Sequence, residues 1–239
     1  MGNSLYCCLP GIGLGSDLGI IRIDRYSRGQ LFPRSAIPEV SEVCIMQYPL
    51  EMRFKLFALS QQIAVHDASG KSILYVKQKM FRLKEKVEVF SDSDMKQKLF
   101  EINADRMLDF SANYRFTAAD GTDWGTVRRE GMRSLWAAHY DIYEQGQIDM
   151  TIREEEPWKR FVESVLGEIP IAGFIAIYLL NPSYLVKMAD GTPALRAIKK
   201  PSIFERYFVI EKLAEIDEDD ELRALLSLIM MVMLEKRRG

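Results

Sequence analysis

From Met52 to about Ile152 apolar and polar residues alternate along much of the chain. Met52-Arg53-Phe54-Lys55-Leu56-Phe57 alternates, as do Ile73 to Lys79 and Arg82 to Phe90 in part. A period of two sends successive side chains to opposite faces, so these runs predict half-buried strands. The segments between them repeat one turn chemistry: Asp67-Ala68-Ser69-Gly70, Ser91-Asp92-Ser93-Asp94, Ala119-Asp120-Gly121-Thr122 and, much later, Ala189-Asp190-Gly191-Thr192. Asp-Gly favours a tight hairpin because both residues tolerate positive φ. Tyr184 to Ala189, Pro193 to Lys199 and Arg206 to Lys212 supply the last strands. A degenerate hairpin unit therefore recurs, with a spacing too irregular for a solenoid.

The pattern changes at Leu222 to Leu234, where eleven of thirteen residues are apolar and only Arg223 and Ser227 depart. A helix apolar on every side must be enclosed. At ~1.5 Å per residue this run is roughly 20 Å long, too short to cross the ~30 Å hydrocarbon layer. Acidic residues 217 to 221 precede it and Lys236, Arg237 and Arg238 follow, matching the partial charges at the two ends of a helix. The expected core helix spans residues 219–237. A second helix, amphipathic and on the outside, is expected after Glu154-Glu155-Glu156-Pro157, with Trp158, Phe161, Val162, Val165 and Leu166 on one stripe. Ile169 to Leu180 is apolar but interrupted by Pro170, and reads as a buried loop or strand.

Residues 1–47 are rich in Gly, Pro and Ser and lack periodicity, and read as an irregular arm before a barrel domain of residues 48–239. Gly11, Gly13 and Gly15 do not make a phosphate loop, since no strand leads in and no amphipathic helix leads out. Gly2 with Cys7 and Cys8 suggests acylation, although Tyr6 stands where the myristoylation pattern wants Ser or Thr; an unmodified tail is preferred. Three cysteines without metal spacing point to a reducing, intracellular setting. A formal charge of −2 argues against a general nucleic-acid binder. No nucleophile elbow, HExxH, P-loop lysine or CxxC is present, so neither an enzyme nor a cofactor is expected. His66 beside Asp67 is not an acid/base pair, because neighbours on a strand point to opposite faces. His139 reads as a surface or hydrogen-bonded core residue.

Many antiparallel strands joined by Asp-Gly hairpins and closed by an all-apolar helix resemble the tubby C-terminal-like superfamily, and within it the LURP-one-related proteins, with the phospholipid scramblases as cousins. The resemblance covers about Tyr48 to Gly239. It is carried by Ile63 to Gly70 with Tyr75-Val76-Lys77, by Tyr114 to Gly121 with Gly125 to Arg129, by Asn181-Pro182-Ser183-Tyr184, and by the closing helix. It implies a mainly β fold: a closed antiparallel barrel of about twelve strands around the hydrophobic C-terminal helix. It also implies membrane-linked or signalling roles. Closure is physically reasonable on its own account, since it removes aggregation-prone sheet edges and the helix fills a bore too wide for side chains.

The basic residues carry the functional expectation. Lys77 and Lys79, then Arg82, Lys84 and Lys86, then Lys96 and Lys98, are two apart and so share a strand face within each set. Arg128, Arg129, Arg133, Lys199 and Lys200 follow equivalent turns. If Lys77, Lys79, Arg128, Arg129, Arg133, Lys199 and Lys200 converge, they form a phosphate-binding patch. Tubby relatives imply an inositol phospholipid headgroup as its ligand. The alternatives are that these charges only solvate the barrel, that the protein translocates lipid as a scramblase would, or that it is a protein-interaction adaptor without lipid affinity. A monomer, peripheral at the membrane, is expected. Asp217, Asp219 and Glu221 alternate like the first ligands of a calcium loop, but the turn glycine and the distal bidentate acid are missing, which favours helix capping.

Overall fold

The computed structural model describes residues 46–55, 61–78, 86–105, 112–130, 138–156, 181–202 and 205–236. Twelve strands are present: β1 (Leu50–Lys55), β2 (Gln62–His66), β3 (Ser72–Gln78), β4 (Lys86–Phe90), β5 (Lys98–Ala104), β6 (Asn113–Ala118), β7 (Asp123–Arg129), β8 (His139–Glu144), β9 (Gln147–Glu154), β10 (Ser183–Met188), β11 (Pro193–Lys200) and β12 (Glu205–Lys212). One helix follows, α1 (Glu218–Lys236). Each strand pairs antiparallel with its neighbours in sequence, and β1 pairs with β12 to close the barrel. The alternation read from the sequence is the alternation of faces. Leu50, Met52 and Phe54 are buried while Glu51, Arg53 and Lys55 point outward.

The repeated turn chemistry has a repeated geometry. In the Asp120 turn, Gly121 N donates to Ala118 O (2.9 Å), Ala118 N to Thr122 O (2.9 Å), and Thr122 N to Asp120 Oδ1 (2.9 Å). The Asp190 turn repeats all three bonds with Gly191, Met188 and Thr192. Five hairpins, those of β2–β3, β4–β5, β6–β7, β8–β9 and β10–β11, carry a register shift just before the turn. Such a shift bends and twists the strand, and sheet curvature of this kind is what closure requires. These five hairpins and the start of α1 mark one end of the barrel, called here the turn end; the opposite end is the loop end.

The closing β1–β12 seam is tied on its outer face. Arg53 bonds Glu205 (2.7 Å) and Glu51 (3.0 Å), its guanidinium lies 4.6 Å from the Tyr207 ring centroid, and the Tyr207 hydroxyl donates to Glu51 (2.8 Å).

In α1, Leu222 to Met233 are buried without exception, Arg223 and Ser227 included. Its apolar residues belong to the same hydrophobic cluster as the inward residues of the strands. The helix begins at the turn end, and its last turn reaches the loop end, where the Tyr140 hydroxyl donates to Glu235 (2.8 Å). Asp217 is its N-cap: its main-chain oxygen accepts from Glu221 N (2.9 Å) and its carboxylate from Asp219 N (3.0 Å). The expected outer amphipathic helix, the Ile169 to Leu180 segment and the N-terminal arm up to residue 45, with Gly2, Cys7 and Cys8, lie outside the described residues.

Candidate functional site

The basic residues singled out from the sequence sit at the loop-end termini of β3, β7 and β11. Lys77 lies on the outer face of β3 and Arg128, exposed, on the outer face of β7. Lys200 shares the outward-facing side of β11 with Arg196, whereas Lys199 is on the side of the buried Leu195 and Ala197. These strands are four apart around a twelve-stranded ring, so the residues mark one end of the barrel rather than one compact patch. Arg129 departs from the expectation of a lipid contact on the outer surface. Its side chain is only 8% exposed, faces the interior, and pairs with Glu235 (3.4 Å). The reason is the period of two, which sends adjacent Arg128 and Arg129 to opposite faces. Lys79 and Arg133 lie outside the described residues. Lys96 belongs instead to the β4–β5 hairpin at the turn end, where it pairs with Asp94 (3.2 Å). Lys86 and Lys98 both contact Glu101 (2.7 and 3.2 Å). Its carboxyl is drawn down to about 2, chiefly by the Lys86 hydrogen bond.

The acidic residues before α1 are divided among tasks. Asp217 caps the helix, and Glu221, with its side chain 4% exposed, accepts from Lys212 Nζ (3.0 Å). Burial works against the Lys212 charge, but Glu221 and Glu215 outweigh it and hold its pKa above the ordinary value. Burial and then the Glu221 charge push the nearby Tyr48 hydroxyl far up. Asp217, Asp219 and Glu221 do not form a convergent set of oxygen donors. Asp67 serves its turn by accepting from Ser69 N, Ser69 Oγ and Lys71 N (2.9, 2.6 and 3.0 Å).

The strongest polar constellation is built on Arg223, which the sequence shows only as a lone charge inside an apolar run. Its guanidinium, 4% exposed, donates through Nε to Trp124 O (2.9 Å), through Nη1 to Asp149 (2.9 Å) and Asp220 (2.6 Å), and through Nη2 to Glu144 (2.7 Å). The three carboxylates come within 4.8 Å of one another, an arrangement that elsewhere invites a metal ion; here the cation between them is the guanidinium. Burial opposes the Arg223 charge, but Glu144, Asp220 and Asp149 raise its pKa on balance. Burial, reinforced by the Asp149 charge, raises the Asp220 carboxyl to about 6 in spite of Arg223. At the other end of α1, burial and then the Glu235 charge push the Tyr140 hydroxyl well up. The i, i+3 spacing of Asp220 and Arg223 is the one trace of this constellation in the sequence.

A closed twelve-stranded antiparallel barrel followed by one C-terminal helix is the architecture of the tubby-like class. The chain belongs to the LURP-one-related family of that superfamily, whose profile matches residues 50–198. The match ends before β12 and α1. No curated protein and no solved structure matches the chain significantly.

Proposed function

We propose that this protein is a non-enzymatic module that docks on anionic membrane lipid headgroups of the phosphoinositide type, with its loop end toward the membrane and α1 filling the bore of the barrel as a packed rod. The observation that carries the reading is an asymmetry of charge between the two ends. At the loop end Lys55, Lys77, Arg128 and Lys200 point outward among the acids Asp105, Glu130 and Glu205, whereas at the turn end the exposed Asp94, Asp120, Asp190, Asp217, Glu218 and Asp219 outnumber the exposed Lys71 and Lys96. An anionic surface attracts the first set and repels the second. Each Lys or Arg near such a surface contributes ~1 kcal/mol, so three or four give reversible attachment. Family membership adds analogy and no more. Enclosure of α1 is supported by the burial of every residue from Leu222 to Met233 and by polar ties at both helix ends.

The test is flotation with vesicles that differ only in anionic lipid. Binding is expected with phosphatidylserine or phosphoinositide vesicles and not with neutral ones. The triple substitution Lys77→Gln, Arg128→Gln and Lys200→Gln is expected to weaken binding by on the order of 100-fold. Indifference to anionic lipid overturns the reading and favours the adaptor alternative. The scramblase-like alternative requires α1 to leave the barrel and enter a bilayer, breaking the Arg223 constellation. Among the described residues no helix is long and apolar enough to span. Acylation at Gly2, Cys7 or Cys8 would add a second anchor, visible as added mass in the native protein.

A further inference from the structure

Arg223 holds together four elements. Glu144 reaches it from β8, Asp149 from β9, the Trp124 carbonyl from β7, and Asp220 from the first turn of α1 itself. The other charged groups of this neighbourhood are engaged or exposed: Glu221 is taken by Lys212 of β12, Asp123 lies exposed toward Arg115 of β6, and Glu218 and Asp219 are exposed on the helix. Within the constellation, three carboxylates share one guanidinium, and two of them, Asp149 and Asp220, accept from the same nitrogen. When all three are ionised, two negative charges are left uncompensated at a site where Asp149 and Asp220 are each only about a fifth exposed (21% and 22%).

We propose that this constellation is a proton-sensitive latch between the first turn of α1 and the β8–β9 hairpin, and that it tightens as the solution becomes mildly acidic. A proton on Asp220 removes its repulsion with Asp149 and creates a carboxyl donor beside a carboxylate acceptor. Arg223 keeps its hydrogen bonds to Glu144 and Asp149, and the second oxygen of the protonated Asp220 still accepts from it. Most surface ion pairs behave in the opposite way, since acid removes the carboxylate on which they depend.

The sign follows from linkage. Asp220 titrates at about 6 in the folded chain, above its ordinary value of 3.8. Between those two values the latched form binds more protons than the opened one, so closure is favoured below the lower value and this advantage is lost as pH rises through the higher. Because one proton is involved, the opening equilibrium changes by no more than about tenfold per pH unit.

The experiment is hydrogen exchange on the full chain between pH 7.5 and 5, corrected for the intrinsic rate, read at the amides of the first turn of α1 and of the β8–β9 hairpin. Protection in the wild type is expected to rise several-fold on acidification. In Asp220→Asn, which keeps the shape and removes the titration, it is expected to be high and flat, and His66 and His139 are common to both proteins. Carbon-detected titration of the side-chain carboxyls supplies the second measurement. Asp220 is expected to titrate near 6 in the wild type, and to fall toward the ordinary carboxyl range in Asp149→Asn. Equal protection at both pH values in the wild type, or an Asp220 midpoint at the ordinary carboxyl value, overturns the proposal.

Discussion

Gly125 and Gly121 separate two reasons for a glycine that look identical in sequence. Both have positive φ (106° and 92°), but a Cβ at Gly121 would meet nothing within 4 Å, while one at Gly125 would lie 2.5 Å from Tyr143 O and 3.2 Å from Arg223 Cδ. Gly121→Ala should therefore cost only the left-handed conformation, ~1–2 kcal/mol. Gly125→Ala adds an overlap with main chain that cannot yield, for a total of roughly 3–5 kcal/mol; urea unfolding of the two variants side by side checks the order. Arg223→Met should cost roughly 2–3 kcal/mol near pH 7.5, less than the loss of a fully buried ion partner, because it leaves three half-buried carboxylates without a counter-charge. The deficit should shrink at pH 5.5, below the value of about 6 to which Asp220 is raised, and denaturant midpoints at the two pH values test this. Arg223 was visible in the sequence as an exception. Two of its carboxylate partners were not, because Glu144 and Asp149 lie 79 and 74 residues away and no local pattern connects them.

For single elements, the local rules carry further. The local pattern and the turn residues locate β1, β3, β10, β11 and β12 to within a residue or two; β1 and β10 alternate between core and outside, whereas β3 is located by a run of four buried apolar residues, Ile73 to Val76, after its turn. What they cannot reveal is the register shift before each hairpin, which depends on how neighbouring strands must curve to meet. The same gap explains the basic residues. Their spacing shows which face of a strand each occupies, as the opposite fates of Arg128 and Arg129 demonstrate, but whether strands four places apart bring their ends together is set by the ring. The charged flank of α1 was legible as helix-dipole compensation, yet only Asp217 caps, while Asp220 and Glu221 pair with Arg223 and Lys212. Asp217→Ala should accordingly lower stability by ~1 kcal/mol, a typical N-cap loss, with no change in the pH dependence assigned to Asp220. Thermal unfolding at pH 5.5 and 7.5 distinguishes the two effects.

For the whole molecule, the strands and the helix share one core. Each buried Leu, Ile or Met contributes ~1.5–3 kcal/mol, and α1 holds enough of them to exceed the ~5–15 kcal/mol net stability of a domain. A chain ending at Ile216 is therefore expected to be recovered unfolded or aggregated, which circular dichroism and size exclusion would show; a monomeric, sheet-rich product would contradict it.

The seam between the first and last strands has a further consequence during synthesis. Leu50 finds its partner only in Ile210, whereas each other strand pair joins neighbours in sequence. On the ribosome, eleven strands can hydrogen-bond in order as they emerge, yet β1 keeps a bare flank until β12 has cleared the exit tunnel. The ribbon can become a ring only once β12 has emerged, and until then it offers a free edge to any other chain nearby.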